Sequence, residues 1–179
     1  MSIEKEVSLV VDEQLMPDLS DYPKKVIEQH YLTPRTHDLN YPETENVEWR
    51  IRKSLSDKGV KWTTAIKIGQ KSTGSRIELG TEVSEGAFGT SKEDISGYGF
   101  GGLIKRRYDL GDDMVVDEFI RASDGPHYQG EKEFDPNSDD DPLTWPSYPN
   151  WLTPALDLPT NRDRVVDTKP ALGRGQYPA

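Results

Sequence analysis

From Ile3 to Phe134 the chain repeatedly sets apolar side chains at every second position, with charges of both signs between them. A period of two is the spacing of a β-strand, whose successive side chains point to opposite faces. Ile3, Val7, Leu9 and Val11 oppose Glu4, Glu6 and Ser8, and Val47, Trp49 and Ile51 oppose Glu48, Arg50 and Arg52. Trp62, Thr64, Ile66 and Ile68 oppose Lys61, Ala65 and Lys67, while Ile77, Leu79 and Val83 oppose Arg76, Glu78 and Gly80. Ile104, Tyr108 and Leu110 alternate with Lys105 and Arg107, then Met114 and Val116 with Val115 and Asp117. A last short run sets Glu131 and Glu133 against Lys132 and Phe134. Turn signals at 56–59, 72–74, 111–113 and 123–125 separate the runs, which is the spacing of antiparallel hairpins.

Helical signals are fewer. Residues 22–29 read as a short helix or a strand, and 90–96 as a helix start, because Glu93 follows Thr90 by three as in a capping box. No repeat of 20–50 residues is present. From 135 to 179 the chain is rich in Asp and Pro, and its last residues read as a loose tail.

A length of 179 residues suits one domain, expected over 1–165 with a tail at 166–179. Hydrophobic residues make up only 33%, but aromatic residues spread along the chain argue against disorder. The absence of Cys excludes disulfide scaffolds, thiolate zinc sites and thiol nucleophiles. No apolar run is long enough to span a membrane and the N-terminus is too charged for a signal peptide, so the expected compartment is the cytoplasm. A net charge of −10 argues against general nucleic-acid binding.

The ionic faces admit two arrangements. An open amphipathic sheet keeps its charges in water; a closed sheet lines a lumen with them. A charged lumen needs an ionic ligand. Rows of Arg and Lys fit a string of phosphates, and Glu-x-Glu pairs fit hard divalent cations, so both signs in one cavity point to a metal-bound polyphosphate. A transmembrane barrel calls for longer strands and a secretion signal.

In their joint order these motifs resemble CYTH domains, the triphosphate tunnel metalloenzymes. The likeness covers roughly residues 2–165: the Glu4-x-Glu6 entry strand, the segment ending Ile27-Glu28-Gln29 with Tyr31 and Leu32, Arg50-x-Arg52, AIKIG at 65–69, Arg76-x-Glu78, Lys105-x-Arg107-Tyr108 with Asp117-x-Phe119, Glu131-x-Glu133, and YPNWLTPALDL. The resemblance implies a mainly β, α+β fold: a closed or nearly closed eight-stranded antiparallel barrel with a few flanking helices. It implies Arg50, Arg52, Lys67, Arg76, Lys105 and Arg107 as phosphate ligands, and Glu4, Glu6, Asp117, Glu131 and Glu133 on the metal side, with Mg²⁺ or Mn²⁺. Glu4, Glu6 and Arg52 then stand nearest the chemistry, an in-line attack of water on a terminal phosphorus.

Three positions depart from the family pattern. Ser8 stands where the entry motif has Lys, Gly80 where the fourth strand has a second Glu, and Val115 where an acid usually precedes Asp117. Two other functional readings therefore stand beside hydrolysis of an inorganic, nucleoside or other organic triphosphate. One is a module that captures a nucleotide or polyphosphate without turnover. The other is an assembly protein that reuses the barrel and docks a protein partner through 135–179.

Three remaining features have plainer readings. Asp135, Asn137, Asp139 and Asp141 imitate a Ca²⁺ loop but lack its Gly and final Glu, which makes them a solvated acidic loop. The glycines of 97–102 read as a flexible hairpin or lid. His30, His37 and His127 lack metal-ligand spacing and read as structural or surface residues.

Overall fold

The computed structural model describes residues 2–31, 47–69, 75–98, 102–122, 127–156 and 158. The expected domain boundary at 165/166, the tail 166–179, the turns at 72–74 and 123–125 and His37 lie outside these residues, as do residues 99–101 of the 97–102 glycine run.

The alternating runs form strands: β1 (Ser2–Val11), β2 (Lys24–Tyr31), β3 (Val47–Ser56), β4 (Gly59–Ile68), β5 (Ser75–Glu82), β6 (Gly102–Gly111), β7 (Met114–Arg121) and β8 (Tyr128–Phe134). Their order is β5-β4-β3-β2-β6-β7-β8-β1, and β5 also pairs with β1, so eight antiparallel strands close into a barrel. The expectation of a closed, mainly β fold holds. On one edge β1 pairs with β8 over residues 5–10. Its other edge is divided: residues 2–5 pair with β5, and residues 8–11 with β9 (Leu152–Ala155). That last strand falls in the tryptophan-containing segment, for which the sequence analysis named no strand.

One local alternative is decided and one reading needs correction. Residues 22–29 do not form a helix; from Lys24 they are strand, seated between β3 and β6. The helix read at 90–96 begins earlier: α1 spans Glu85–Tyr98. Ser84 starts it, accepting the Ala87 N–H on its hydroxyl at 3.1 Å and the Phe88 N–H on its carbonyl at 3.0 Å. Gly86 and Gly89 dilute helix propensity over this first turn, which hides the start from pattern reading.

The barrel is inverted relative to most small barrels, with charge inside and much of its apolar core on the outer wall. Val7, Leu9, Tyr108, Met114, Val116 and Phe134 are buried beneath Leu19, Trp151 and Leu152, with Trp145 and Tyr148 packed against them. The segment 135–151 thus lies on the wall, and Trp145 meets Phe134 and Tyr148 edge-to-face at 5.9 and 4.9 Å. Under α1, Phe88 packs on Ile51, Trp62 and Val83, and sits 6.0 Å from the fully buried His30. Asp135 and Asp141 each accept a backbone N–H two residues on, at 2.9 Å, as ordinary turn residues. No described helix is long and apolar enough to cross a membrane.

The outer core leaves no room at Gly130, which pairs with Leu9 across β1 and β8. A Cβ there would sit 2.9 Å from Leu9 Cβ and 3.4 Å from Leu152 Cδ2. Gly130→Ala is expected to lower stability by about 1–3 kcal/mol through overpacking, read as an earlier urea midpoint.

Candidate functional site

Strand parity places the site. The side chains opposite the apolar wall converge on a cavity of about 210 Å³ lined by Glu4, Glu6, Glu48, Arg50, Arg52, Lys67, Arg76, Glu78, Arg107, Glu131 and Glu133. Five of the six expected cations line it. The sixth, Lys105, lies deeper, fully buried against Asp117. Beside it Tyr31, Leu103 and Phe119 pack into an apolar cluster, and the Lys105 ammonium is 5.9 Å from the Phe119 ring. Elsewhere the cavity adjoins an outer vestibule of about 340 Å³, which shares Glu6, Arg107, Glu131 and Glu133 with it and adds Asp109, Asp112, Asp113 and Val115.

Most lumen cations are held by carboxylates. Lys67 Nζ is 2.7 Å from Glu4 Oε2, 3.6 Å from Glu78 and 3.9 Å from Glu6. Arg50 and Arg76 each reach Glu48 at 3.3 Å. Arg107 donates Nε and Nη2 to the two Asp117 oxygens at 2.7 Å, and Nη2 also lies 3.2 Å from Glu131. Arg52 differs. It donates from Nε and Nη2, at 2.8 and 2.6 Å, to the neutral Gln29 Oε1.

Burial, together with Arg50 and Arg107 beside it, pushes the Arg52 pKa down to about 9. Arg50 moves the other way: burial opposes its charge, but Glu48 and the other acids around it raise its pKa. Burial disfavours the Asp117 carboxylate too, yet Arg107 and Lys105 hold its pKa below the ordinary value. Because Arg107 takes both Asp117 oxygens, Lys105 is the second cation on one carboxylate. Burial and Arg107 together push its pKa down to about 7.

The carboxylates divide into two groups. Asp117 does not line the cavity and is enclosed by Lys105 and Arg107. Glu4, Glu6, Glu131 and Glu133 do line it, with Glu6 paired across the sheet to Glu133 and Ser8 to Glu131. Burial, then repulsion by Glu4 and Glu6, raises the Glu133 pKa. Among the described residues no His, Cys, Asp and Glu form a ready-made cluster for a metal ion. The donor set still fits a divalent cation in kind, since crowded carboxylates that resist joint ionisation are relieved by a hard cation. The Lys67 ammonium now lies among Glu4, Glu6 and Glu78.

Parity also explains what the sequence reading missed. Glu48 and Gln29 face inward, Glu48 as shared counterion of Arg50 and Arg76 and Gln29 as partner of Arg52. Glu48 was legible, since it shares a face with Arg50 and Arg52; Gln29 was hidden by the helix-or-strand ambiguity of β2. Lys25, paired with Arg107 across β2 and β6, adds a cation at the mouth. Of the three departures, Ser8 is buried with its hydroxyl unpartnered and does not line the cavity.

The Lys105 shift fixes a pH dependence. A folded-state pKa near 7 against about 10.4 unfolded means that between these values the unfolded chain holds a proton the folded chain lacks. Stability is therefore expected to rise from pH 7 toward pH 10, and Lys105→Met to flatten that rise, in urea titrations across the range.

No family model matches the chain, and no curated protein matches it. Solved structures do. The PH1819 protein of Pyrococcus horikoshii OT3 superposes with a TM-score of 0.50 at 18% identity, covering 76% of this chain and 81% of that one. The inorganic triphosphatase NE1496 gives 0.48 at 19% identity, over 91% and 94%. The putative adenylyl cyclase HpAC1 from Hippeastrum, described as having a dominant triphosphatase activity, gives 0.48 at 16%, over 75% and 80%. In strand number, closure and inward charge, the chain has the triphosphate-tunnel fold that its sequence resemblance to CYTH domains implies.

Proposed function

We propose that the lumen binds the phosphate chain of a triphosphate, inorganic or organic, and hydrolyses it together with a divalent cation. Arg52 carries this reading. A guanidinium placed in a cavity beside Arg50 and Arg107, with hydrogen bonds to a neutral amide, is a charge waiting for an anion. Arg50, Arg76, Lys67 and Arg107 surround the same space, so bound phosphate oxygens would exchange protein carboxylates for phosphate as the partners of these cations.

Charge counting supports a metal. The cavity lining has five cations and six carboxylates, and Lys105 and Asp117 beneath it balance each other. A lumen that is already neutralised gains little from a bare polyanion. Positive charge must arrive with the ligand, and Glu4, Glu6 and Glu133 are the residues that would hold it. Bound there, a divalent cation supplies a lowered pKa for water and neutralisation of phosphate charge. The protein's own part is to fix the phosphate chain with Arg50, Arg52 and Arg107 and to screen charge developing on the equatorial oxygens.

A second reading, capture without turnover, is favoured by Ser8. Its buried hydroxyl is neutral where the resemblance calls for an ammonium beside the acidic pair.

Millimolar triphosphate together with Mg²⁺ is expected to raise the melting temperature, since the pair binds only the folded chain. The effect should shrink at high salt and largely disappear in Arg52→Ala, a variant that also sheds the repulsion from Arg50 and Arg107 and so should fold well. An unchanged melting curve across millimolar triphosphate with Mg²⁺ would sink the reading.

Turnover is expected to be slow, because losing one preorganised charge contact costs on the order of 3 kcal/mol, or ~10²-fold in rate. In phosphate-release assays with Mg²⁺ or Mn²⁺, Ser8→Lys should speed hydrolysis and Glu6→Gln should abolish it. Wild-type hydrolysis as fast as that of Ser8→Lys counts against this role for position 8.

A further inference from the structure

A second pocket adjoins the lumen and differs from it in chemistry. It holds about 490 Å³ and lies where β2 begins, β3 ends and β6 turns into β7. Its lining is drawn from the segments 22–25, 56–58 and 107–115, all of them among the described residues. Arg107 is common to both spaces. Every residue that lines the lumen is charged, whereas here Tyr22, Pro23 and Val115 add apolar surface. The Asp109 N–H donates to the Pro23 carbonyl at 2.8 Å, which ties the start of β2 to the end of β6 and holds two walls of the pocket together.

We infer that this pocket is the headgroup site of the lumen's ligand, and that it selects a triphosphate ester whose headgroup is a neutral ring bearing hydrogen-bond acceptors, as in a nucleoside. The inference rests on the reading of the lumen as a triphosphate site. Position is the first argument. A phosphate chain held by Arg50, Arg52 and Arg107 leaves the lumen past Arg107, so the group esterified to its outer end meets this pocket. The vestibule also borders Arg107, but its Asp and Glu side chains repel an anionic ester. The second argument is apolar surface. A phosphate chain gains nothing from Tyr22, Pro23 and Val115, whereas a ring buries its faces against them, and the volume falls within the ~300–1,000 Å³ of small-molecule sites. The third is the sign of the charge. Lys24, Lys25 and Lys58 outnumber Asp57 and Asp109, and the Asp109 carboxylate already accepts the Gly111 N–H at 2.9 Å. Lys25 shares strand parity with Gln29 and pairs across the sheet with Arg107. Burial, then Arg107 and Arg52, lower its pKa, as suits a cation crowded by cations. A cationic headgroup adds to that repulsion, while neutral acceptors take hydrogen bonds from the ammonium groups. Val115 stands where the family pattern has an acid, so that departure removes the group that would favour a cationic headgroup.

The test is a calorimetric titration of the full chain, with Mg²⁺ present, against inorganic triphosphate, ATP and thiamine triphosphate. The lumen alone favours inorganic triphosphate, which carries one more ionisable oxygen than an ester, so a preference for ATP reads the headgroup pocket. ATP is expected to bind on the order of tenfold tighter than inorganic triphosphate. Thiamine triphosphate, whose thiazolium is a fixed cation, should bind more weakly than ATP, again by on the order of tenfold. Val115→Asp and Lys25→Glu should each shift the ratio of the two ester affinities toward the cationic ligand by a similar factor. Taking a ratio removes whatever either change does to triphosphates in general. If none of the three ligands binds, the triphosphate reading fails and takes this inference with it. If inorganic triphosphate or thiamine triphosphate binds as tightly as ATP, the lumen reading stands and the headgroup inference alone is overturned. Folded Val115→Asp and Lys25→Glu chains that leave the ratio unchanged overturn it equally. The wild-type comparison needs neither variant, so it decides the matter even where a variant does not fold.

Discussion

The ion pairs inside the barrel are the constraint on which the rest of the structure depends. An unpaired charge in a protein interior is costly enough that the group neutralises or the fold yields. Here eleven charged side chains line one lumen with Lys105 and Asp117 beneath them, and closure is tolerable because most of the cations meet a carboxylate, several of them from another strand. Asp117 is central. It joins β7 to β6 through both Lys105 and Arg107, and Arg107 reaches on to Glu131 of β8. Without that carboxylate two cations would lie buried on adjacent positions of one strand face. The same crowding tunes the site, since Lys105 is drawn toward neutrality and Arg52 is destabilised by its fellow cations.

An ionic interior moves the usual core to the outside. Val7, Leu9, Tyr108 and Val116 point away from the lumen, and they need cover that the strands cannot supply. The cover comes from the connections: Leu19 from the β1–β2 loop, Trp151 and Leu152 from the last segment, Phe88 from α1. This explains how a chain with only 33% hydrophobic residues can fold, because a single outer layer of side chains holds each cover in place.

How much was legible in the sequence follows from the same geometry. Parity alone put Arg50, Arg52, Lys67, Arg76, Lys105 and Arg107 on one face, and the closed sheet sends all six inward. Parity could not distinguish an open sheet from a closed one, because closure depends on the β1–β5 pairing, a contact between residues seventy or more positions apart. Nor could it rank the cations. Arg52 and Arg107 look alike in a strand pattern, yet one meets an amide and the other a bidentate carboxylate. The start of α1 was obscured by Gly86 and Gly89, whose weak propensity made a real first turn look like loop. For β2, a run of Lys, Val, Ile, Glu and Gln fits either period over so few residues, and only the β3 and β6 edges on either side decide it.

The three departures from the family pattern are not equivalent in space. Gly80 lies opposite Ala65, where an added Cβ would meet its nearest neighbours at 3.7–3.8 Å, so packing does not forbid a larger residue there. Val115 lines the vestibule beside Arg107 and Glu131, so an apolar wall replaces an acid at the entrance. Ser8 is buried beyond the cavity, next to Glu131. All three changes remove charge, but every cation that lines the cavity remains, as do the acids that pair with it. Under the proposed function, these departures thin the charge around the lumen cations rather than the cations themselves. Holding a phosphate chain depends on the summed field of several cations, which tolerates loss at the edges, whereas turnover depends on individual groups fixed against one reacting oxygen. The lumen therefore retains the part of the design that the sum protects, and its departures fall on the part that single residues decide.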